Sequence, residues 1–138
     1  MKAKKMILGI GLMFLAIVVK AQDEVKYFKG TYDEALELAA KQNKPIFIKT
    51  YTDWCYYCKK MDKKTMVDEK IVRTLNEQFI TLAINMEAEA GLELDEKFNI
   101  SAYPTLLVIG SDGKMLAKLV GYHKALELQA ELEKALPY

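Results

Sequence analysis

The sequence predicts an α/β protein with a central mixed β-sheet that is flanked by helices on both faces. Two observations lead to this prediction. Short apolar segments rich in β-branched residues alternate with helical patterns along most of the chain, and a strand–turn–strand pattern then precedes a last helical pattern. No repeat or low-complexity tract interrupts residues 22–138, so a single domain accounts for them.

The first 21 residues have the layout of a secretory signal peptide. Early lysines precede a 14-residue apolar and glycine run from Met6 to Val19, and we expect cleavage after Ala21. The run is shorter than the roughly 20 residues that a membrane-spanning helix needs. We therefore expect residues 22–138 to be exported, to the periplasm, with an N-terminal membrane anchor as the alternative.

The first helix of the predicted domain begins at a capping box, in which Glu34 follows Thr31 by three residues. Apolar residues then recur at helical spacing as far as Lys41. Asn43 and Pro45 are typical of a helix end and of the chain that follows it.

Two buried strands are predicted at Ile46–Tyr51 and Phe79–Asn85, because both segments are rich in β-branched and aromatic residues. Between them, one helical pattern runs from Cys55 to about Met66. A second helical pattern begins near Asp68, so a pair of helices connects the two strands.

The last third of the chain contains a short helical pattern at Leu92–Phe98 and then a hairpin. The hairpin strands are predicted at Thr105–Ile109 and Met115–Val120, with a tight Ser-Asp-Gly turn at 111–113. Apolar residues at helical spacing predict a final helix from about Lys124. Alternation followed by a hairpin indicates a sheet with both parallel and antiparallel strands.

Composition and charge exclude several classes of protein. The chain has 20 basic against 19 acidic residues, and removal of the four lysines in residues 1–21 leaves 16 against 19, a net charge of −3. This near balance argues against a nucleic-acid-binding protein with a basic field. Two cysteines are too few for a disulfide-stapled miniprotein. The single histidine, His123, is expected in a solvated loop, and we expect no metal or organic cofactor.

The chemistry is predicted at a Cys-x-x-Cys pair, Cys55 and Cys58, where the first strand ends and a helix begins. The free N–H groups and the positive dipole end of that helix would stabilise a thiolate at Cys55. Cys58 lies one turn later, where it can form a disulfide with Cys55 and resolve a mixed disulfide.

Three other interpretations of the pair remain open. It could be half of a zinc site shared between two chains, an inert structural disulfide, or two buried thiols. A bridge that closes so short a loop restricts the unfolded chain little, and an exported protein would oxidise free thiols. Redox chemistry is the favoured interpretation.

These residues resemble a known family. Trp54-Cys-x-x-Cys-Lys59 after an apolar strand, followed by Ala-Tyr-Pro-Thr at 102–105 before another strand, is similar to the thioredoxin superfamily. The segment 58–66 is similar to the C-terminal thioredoxin-like domain of DsbD-type thiol:disulfide interchange proteins. The resemblance implies a thioredoxin fold for residues 22–138. It also implies that Pro104 is a cis-proline that lies beside the disulfide and aligns a substrate chain.

The resemblance further implies an exported thiol–disulfide oxidoreductase, in which Cys55 attacks a substrate disulfide and Cys58 releases the reduced product. Because the DsbD-type domain passes electrons, we favour a disulfide reductase. The alternatives are an oxidase or isomerase of the same fold, and a non-enzymatic binding module with a structural disulfide. The expected partners are proteins with disulfides or dithiols and a membrane electron donor. We expect a monomer that binds no nucleic acid.

Aromatic residues are expected to form a substrate-binding collar around the disulfide. Trp54, Tyr56, Tyr57 and Tyr103 would grip an extended polypeptide during exchange. Trp54 could instead pack beside the helix. Consecutive helical residues point about 100° apart, so at least one of the two tyrosines between the cysteines should be exposed.

The sequence departs from thioredoxins at two places. Lys49 occupies the position of their buried aspartate, and Tyr56-Tyr57 replaces Gly-Pro between the cysteines. Asp62, four residues after Cys58, is therefore a candidate proton acceptor, or else a solvated charge between lysines. Lys49 is expected to point to solvent at a sheet end, the usual fate of a strand lysine, unless it faces Cys58.

Overall fold

The computed structural model describes residues 22–136, so the expected signal peptide lies outside the described residues. Helices and strands follow one another in the predicted order. They are α1 (Tyr32–Gln42), β1 (Ile46–Tyr51), α2 (Tyr56–Lys64), α3 (Glu69–Gln78), β2 (Ile80–Asn85), α4 (Glu89–Phe98), β3 (Thr105–Ile109), β4 (Met115–Val120) and α5 (Ala125–Lys134).

The four strands form one mixed sheet in the order β2-β1-β3-β4. β1 pairs in parallel with β2 and antiparallel with β3, and β3 pairs antiparallel with β4. The predicted mixed sheet is confirmed. Both edges of β1 are paired with neighbouring strands, and helices cover its two faces.

Side chains of β1 alternate between two apolar cores, one on each face of the sheet. Ile46 and Ile48 belong to the core that α1 and α4 cover. Phe47 belongs to the core that α2, α3 and α5 cover. The prediction of helices on both faces is therefore confirmed. The period of two places Lys49 on the same face as Phe47, under α2.

Side-chain capping explains where α1 and α3 begin. Thr31 and Glu34 form the predicted capping box of α1, and the carboxylate of Asp68 accepts the backbone N–H groups of Lys70 and Ile71 at the start of α3. α4 begins at Glu89, three residues before the predicted start. The prediction missed this start because the N-cap residue, Ala88, has no side-chain oxygen that could signal it.

The segment that precedes α1 lies against the edge of the sheet and against α3. Phe28 N–H donates to the carbonyl of Thr81 in β2 (2.7 Å). Asn76 of α3 accepts from the N–H of Lys26 (2.8 Å) and donates to the carbonyl of Glu24 (2.9 Å). This segment therefore packs as part of the domain. Within residues 22–136, no helix has the length and apolar character that crossing a membrane requires.

Candidate active site

Cys55 and Cys58 form a disulfide at the start of α2, with their Cα atoms 5.3 Å apart. Cys55 is the N-cap residue, in an extended conformation, and its Sγ accepts the backbone N–H of Cys58 (3.1 Å). The first sulfur therefore faces an N–H group of the first turn, as the sequence predicts. The arrangement gives this sulfur a ready hydrogen-bond donor in any state that carries negative charge.

Both cysteines are buried in the disulfide form, and Cys55 keeps the larger exposed fraction, 5% against 2% for Cys58. The Sγ of Cys58 lies 4.0 Å from the carbonyl oxygen of Thr50, the residue before the end of β1. The second sulfur is therefore held against the sheet, beneath the first.

The bond between Tyr103 and Pro104 is cis, as the resemblance implied. The loop that contains it is fixed to β1 by Thr50. The hydroxyl of Thr50 accepts the N–H of Thr105 (2.9 Å) and donates to the carbonyl of Thr105 (2.8 Å). One strand residue thus contacts both the second sulfur and the proline loop. We did not single out Thr50 from the sequence, where it is one β-branched residue among several.

Three of the four aromatic residues predicted around the disulfide lie next to the cysteines in the chain, and their side chains are exposed. Trp54, Tyr56 and Tyr57 are 67%, 70% and 54% exposed, so the expectation that at least one tyrosine is exposed is confirmed. The Trp54 ring meets the half-buried ring of Tyr103 edge to face, with 6.2 Å between centroids. The Trp54 Nε1 donates to the carboxylate of Glu87 (2.9 Å). Glu87 was not predicted as a site residue from the sequence. Trp54 is therefore oriented by contacts while most of its surface stays open.

Lys49 is buried, and the expectation that it points to solvent is wrong. Its ammonium group forms an ion pair with Asp62 of α2. The Lys49 Nζ also lies 5.8 Å from the ring centroid of Tyr27 and 5.5 Å from that of Tyr51. The reason is the position of β1 in the middle of the sheet, where α2 covers the face that Lys49 shares with Phe47.

Asp62 keeps 48% of its side chain exposed although it is paired with Lys49. It lies beside a cavity of about 320 Å³ that Tyr27, Met66 and Val67 also line. Burial, and then the negative charge of Asp62, raise the pKa of the Tyr27 hydroxyl well above its ordinary value. Tyr27 therefore stays protonated beside the ion pair.

His123 lies in the loop between β4 and α5, as expected, but its side chain is mostly buried rather than solvated. Only 26% of its side chain is exposed, and its Nδ1 lies 3.9 Å from Glu127. Thr65 at the end of α2 donates to the His123 carbonyl (2.6 Å), which draws the residue against the helix. Within the described residues, no group of three or more His, Cys, Asp and Glu side chains is placed to hold a metal ion.

Comparisons with known proteins agree with this geometry. The family model of the thioredoxin-like domain matches residues 32–136. The thiol:disulfide interchange protein DsbD of Yersinia pestis is 31% identical over 99 residues, which cover 70% of this chain but only 17% of that protein. The chain thus spans about a sixth of the length of the curated relatives it matches.

Solved structures with the same fold include two similar bacterial domains. A Bacteroides thetaiotaomicron protein, provisionally assigned as a disulphide-isomerase, is 33% identical with a TM-score of 0.72 over 84% of this chain and 96% of that one. The oxidised C-terminal domain of DsbD from Neisseria meningitidis is 24% identical, with a TM-score of 0.64 over 75% of this chain and 92% of that one. Because the family match extends from the first residue of α1 to the end of the described chain, this protein belongs to the thioredoxin-like domain family and has the fold of its disulfide oxidoreductases.

Proposed function

We propose that the protein is an exported thiol–disulfide oxidoreductase that acts as a disulfide reductase. The observation that carries the proposal is the Cys55–Cys58 disulfide at the N-terminus of α2, with the first sulfur facing the N–H of Cys58. A disulfide with only a structural role needs no hydrogen-bond donor at either sulfur. A Cys55 thiolate, in contrast, is stabilised by an N–H group that donates to it.

The reaction begins with the reduced protein. The Cys55 thiolate attacks one sulfur of a substrate disulfide, whose S–S bond breaks, and the other substrate sulfur leaves as a thiolate that takes up a proton. Cys58 loses its proton and attacks the Cys55 sulfur of the mixed disulfide. The mixed-disulfide bond breaks, and the second substrate sulfur leaves as a thiolate that also takes up a proton. The substrate is then a dithiol with two electrons gained, and the protein holds the newly formed Cys55–Cys58 disulfide.

Asp62 is the proposed acceptor for the proton of Cys58. It lies one helical turn after Cys58 on α2, and its half-exposed carboxylate can pass a proton on to water. Its ion pair with Lys49 holds the carboxylate on the buried side of the helix. Lys49 is thus proposed as a positioning residue for Asp62.

The substrate is proposed to be an extended polypeptide that contains a disulfide. Trp54, Tyr56 and Tyr57 offer exposed aromatic surface beside Cys55, and Tyr103 supports the Trp54 ring. Pro104 is proposed to lie along the bound chain, on a loop that Thr50 fixes to the sheet.

Direction, partners and location rest on the sequence and its similarities. The resemblance to DsbD-type domains supports a domain that passes electrons, with a membrane partner as the electron donor, and the first 21 residues support export to the periplasm. We propose a monomer. An isomerase is a second candidate, because the Bacteroides thetaiotaomicron structure provisionally assigned to that activity is 33% identical.

Covalent trapping tests the assigned roles of the cysteines. The variant Cys58→Ser should accumulate a mixed disulfide with a disulfide-containing peptide through Cys55, because nothing resolves it. The matched variant Cys55→Ser should accumulate none or far less. Equal trapping by the two variants would contradict the order of attack. An absence of trapping, together with cysteines that resist reduction in the native protein, would favour a binding module with a structural disulfide.

A further inference from the structure

One face of α2 carries a concentration of positive charge next to the disulfide. Lys59, Lys60, Lys63 and Lys64 are all exposed on this nine-residue helix. The only acidic residue of the helix, Asp62, is already paired with the buried Lys49. The four exposed lysines are therefore not neutralised from within their own helix.

The lysines continue the aromatic surface at the first turn. Tyr56, Lys59, Lys60 and Lys63 are spaced at i, i+3, i+4 and i+7, which places them along one side of the helix. The Nζ of Lys60 lies 4.6 Å from the ring centroid of Tyr122 and 6.0 Å from that of Tyr57. We call Tyr56, Lys59, Lys60, Lys63 and Lys64 the basic face.

The lysines of the basic face form no ion pair with neighbouring elements in the described residues. Across residues 22–136 the structure shows no ion pair for its four lysines, whereas Lys70, Lys97 and Lys134 each contact a carboxylate. Residues 22–138 carry 16 basic against 19 acidic side chains, so this positive surface belongs to a domain of net negative charge.

The helix dipole does not account for this arrangement. Lys63 and Lys64 lie in the last turn, where a cation stabilises the helix. Lys59 and Lys60 are the fourth and fifth of the nine helical residues, where the dipole gives a cation no advantage. The dipole therefore gives no reason for cations at these two positions.

We propose that the basic face docks partner polypeptides whose cysteines are flanked by Asp and Glu. This inference rests on the proposed function, because the partner sulfur must reach Cys55 at the N-terminus of α2. Residues that flank this sulfur on the side of Tyr56 would then reach Lys59 and Lys63, where carboxylates meet unpaired cations. The disulfide beside this face favours a polypeptide that carries cysteines, and the net negative charge of the domain disfavours a nucleic acid or an anionic membrane surface.

A pair of synthetic peptides tests this inference. Both have the same length and one internal disulfide, flanked in one by three glutamates and in the other by three lysines. The reduced protein transfers two electrons to each, the peptide S–S bond breaks, and the Cys55–Cys58 disulfide forms. At low salt we expect the rate ratio, glutamate over lysine peptide, to be about ten and to fall toward one in 0.5 M NaCl.

The two peptides can differ in their intrinsic reactivity toward thiols. Comparing the same rate ratio between the wild-type protein and its variants cancels that difference. The double variant Lys59→Gln/Lys63→Gln should lower the rate ratio at least about threefold. The matched control is Lys41→Gln/Lys44→Gln, which removes the same charge at the other end of β1, roughly 20 Å away along the strand. We expect the control to keep the wild-type ratio. An unchanged ratio in the first variant, or an equal decrease in the control, would overturn the proposal.

A neutral probe separates this inference from the proposed function. If the reduced wild-type protein does not react with hydroxyethyl disulfide, thiol exchange itself fails and both proposals fall. If it reacts, and the peptide ratio is the same in all three proteins, only the docking proposal falls. The wild-type protein could instead sediment with phosphatidylglycerol vesicles while the Lys59→Gln/Lys63→Gln variant does not. That result, together with a peptide rate ratio of one, would overturn the proposal and indicate that the basic face binds a membrane surface.

Discussion

Lys49 of the central strand and Asp62 of α2 form an ion pair that joins the middle of the sheet to the helix that begins at the disulfide. The two partners differ in their surroundings, since 5% of the Lys49 side chain is exposed against 48% of that of Asp62. The buried charge of Lys49 therefore depends on Asp62 for its stabilisation, whereas the carboxylate of Asp62 also contacts water. This asymmetry leads to two predictions.

The first prediction concerns stability. Asp62→Asn should leave a buried ammonium group without its counter-charge and cost about 1–3 kcal/mol, less than for a fully buried pair because Asp62 is half exposed. Lys49→Met should cost less, about 1 kcal/mol or below, because water can solvate the remaining carboxylate. Urea unfolding of the oxidised proteins at pH 7 measures both values. A larger loss for Lys49→Met would show that packing of the lysine stem outweighs its charge.

The second prediction concerns proton transfer. If Asp62 accepts the proton of Cys58, Asp62→Asn should slow the resolution of a Cys55 mixed disulfide about tenfold near pH 7 and change its pH profile. Alkylation of Cys55 by iodoacetamide should change much less, because that step does not use Cys58. Stopped-flow measurement of the two steps between pH 5 and 9 separates them. An unchanged profile would leave Asp62 as a counter-charge alone.

The third prediction concerns the link between β1 and the proline loop. Thr50→Val should cost about 2 kcal/mol, since two buried backbone groups of Thr105 lose their partner at nearly constant side-chain volume. Thr52→Val is the matched control, because the buried hydroxyl of Thr52 has no hydrogen-bond partner within residues 22–136. We expect that variant to be neutral or slightly stabilising in urea unfolding. Similar losses in both variants would argue that Thr50 contributes only packing.

The fourth prediction concerns alkaline pH. Because burial and the charge of Asp62 raise the pKa of Tyr27 in the folded state, the folded protein holds this proton more tightly than the unfolded chain. Stability linked to Tyr27 is thus fully present below pH 10 and decreases as pH rises above it. Tyr27→Phe should reduce the loss in urea midpoint between pH 9 and 11, whereas Tyr56→Phe, at an exposed ring, should not. Equal losses in all three proteins would contradict the burial of Tyr27.

Local patterns in the sequence predicted most of the fold. The capping box at Thr31, the β-branched composition of Ile46–Tyr51 and the spacing of the cysteines each act over a few residues, so the structure retains them. The start of α4 at Glu89 was missed because Ala88 has no capping side chain. Element order is more predictable than element ends for this reason.

Contacts between distant parts of the chain could not be predicted in the same way. Trp54 meets Glu87 across 33 residues, and Thr50 meets Thr105 across 55. The burial of Lys49 depends on β1 being an inner strand, which is a property of the assembled sheet. No periodicity within a single element carries that information.

The equilibrium redox titration of the purified protein tests the central claim most directly. It measures the fraction of Cys55–Cys58 disulfide in dithiothreitol or glutathione buffers of known potential, followed by the fluorescence of Trp54, the only tryptophan in the chain. If the protein is a disulfide reductase, we expect a reduction potential near the thioredoxin value of about −270 mV. A potential near about −120 mV would identify an oxidant instead, and cysteines that do not exchange under native conditions would contradict thiol–disulfide chemistry altogether.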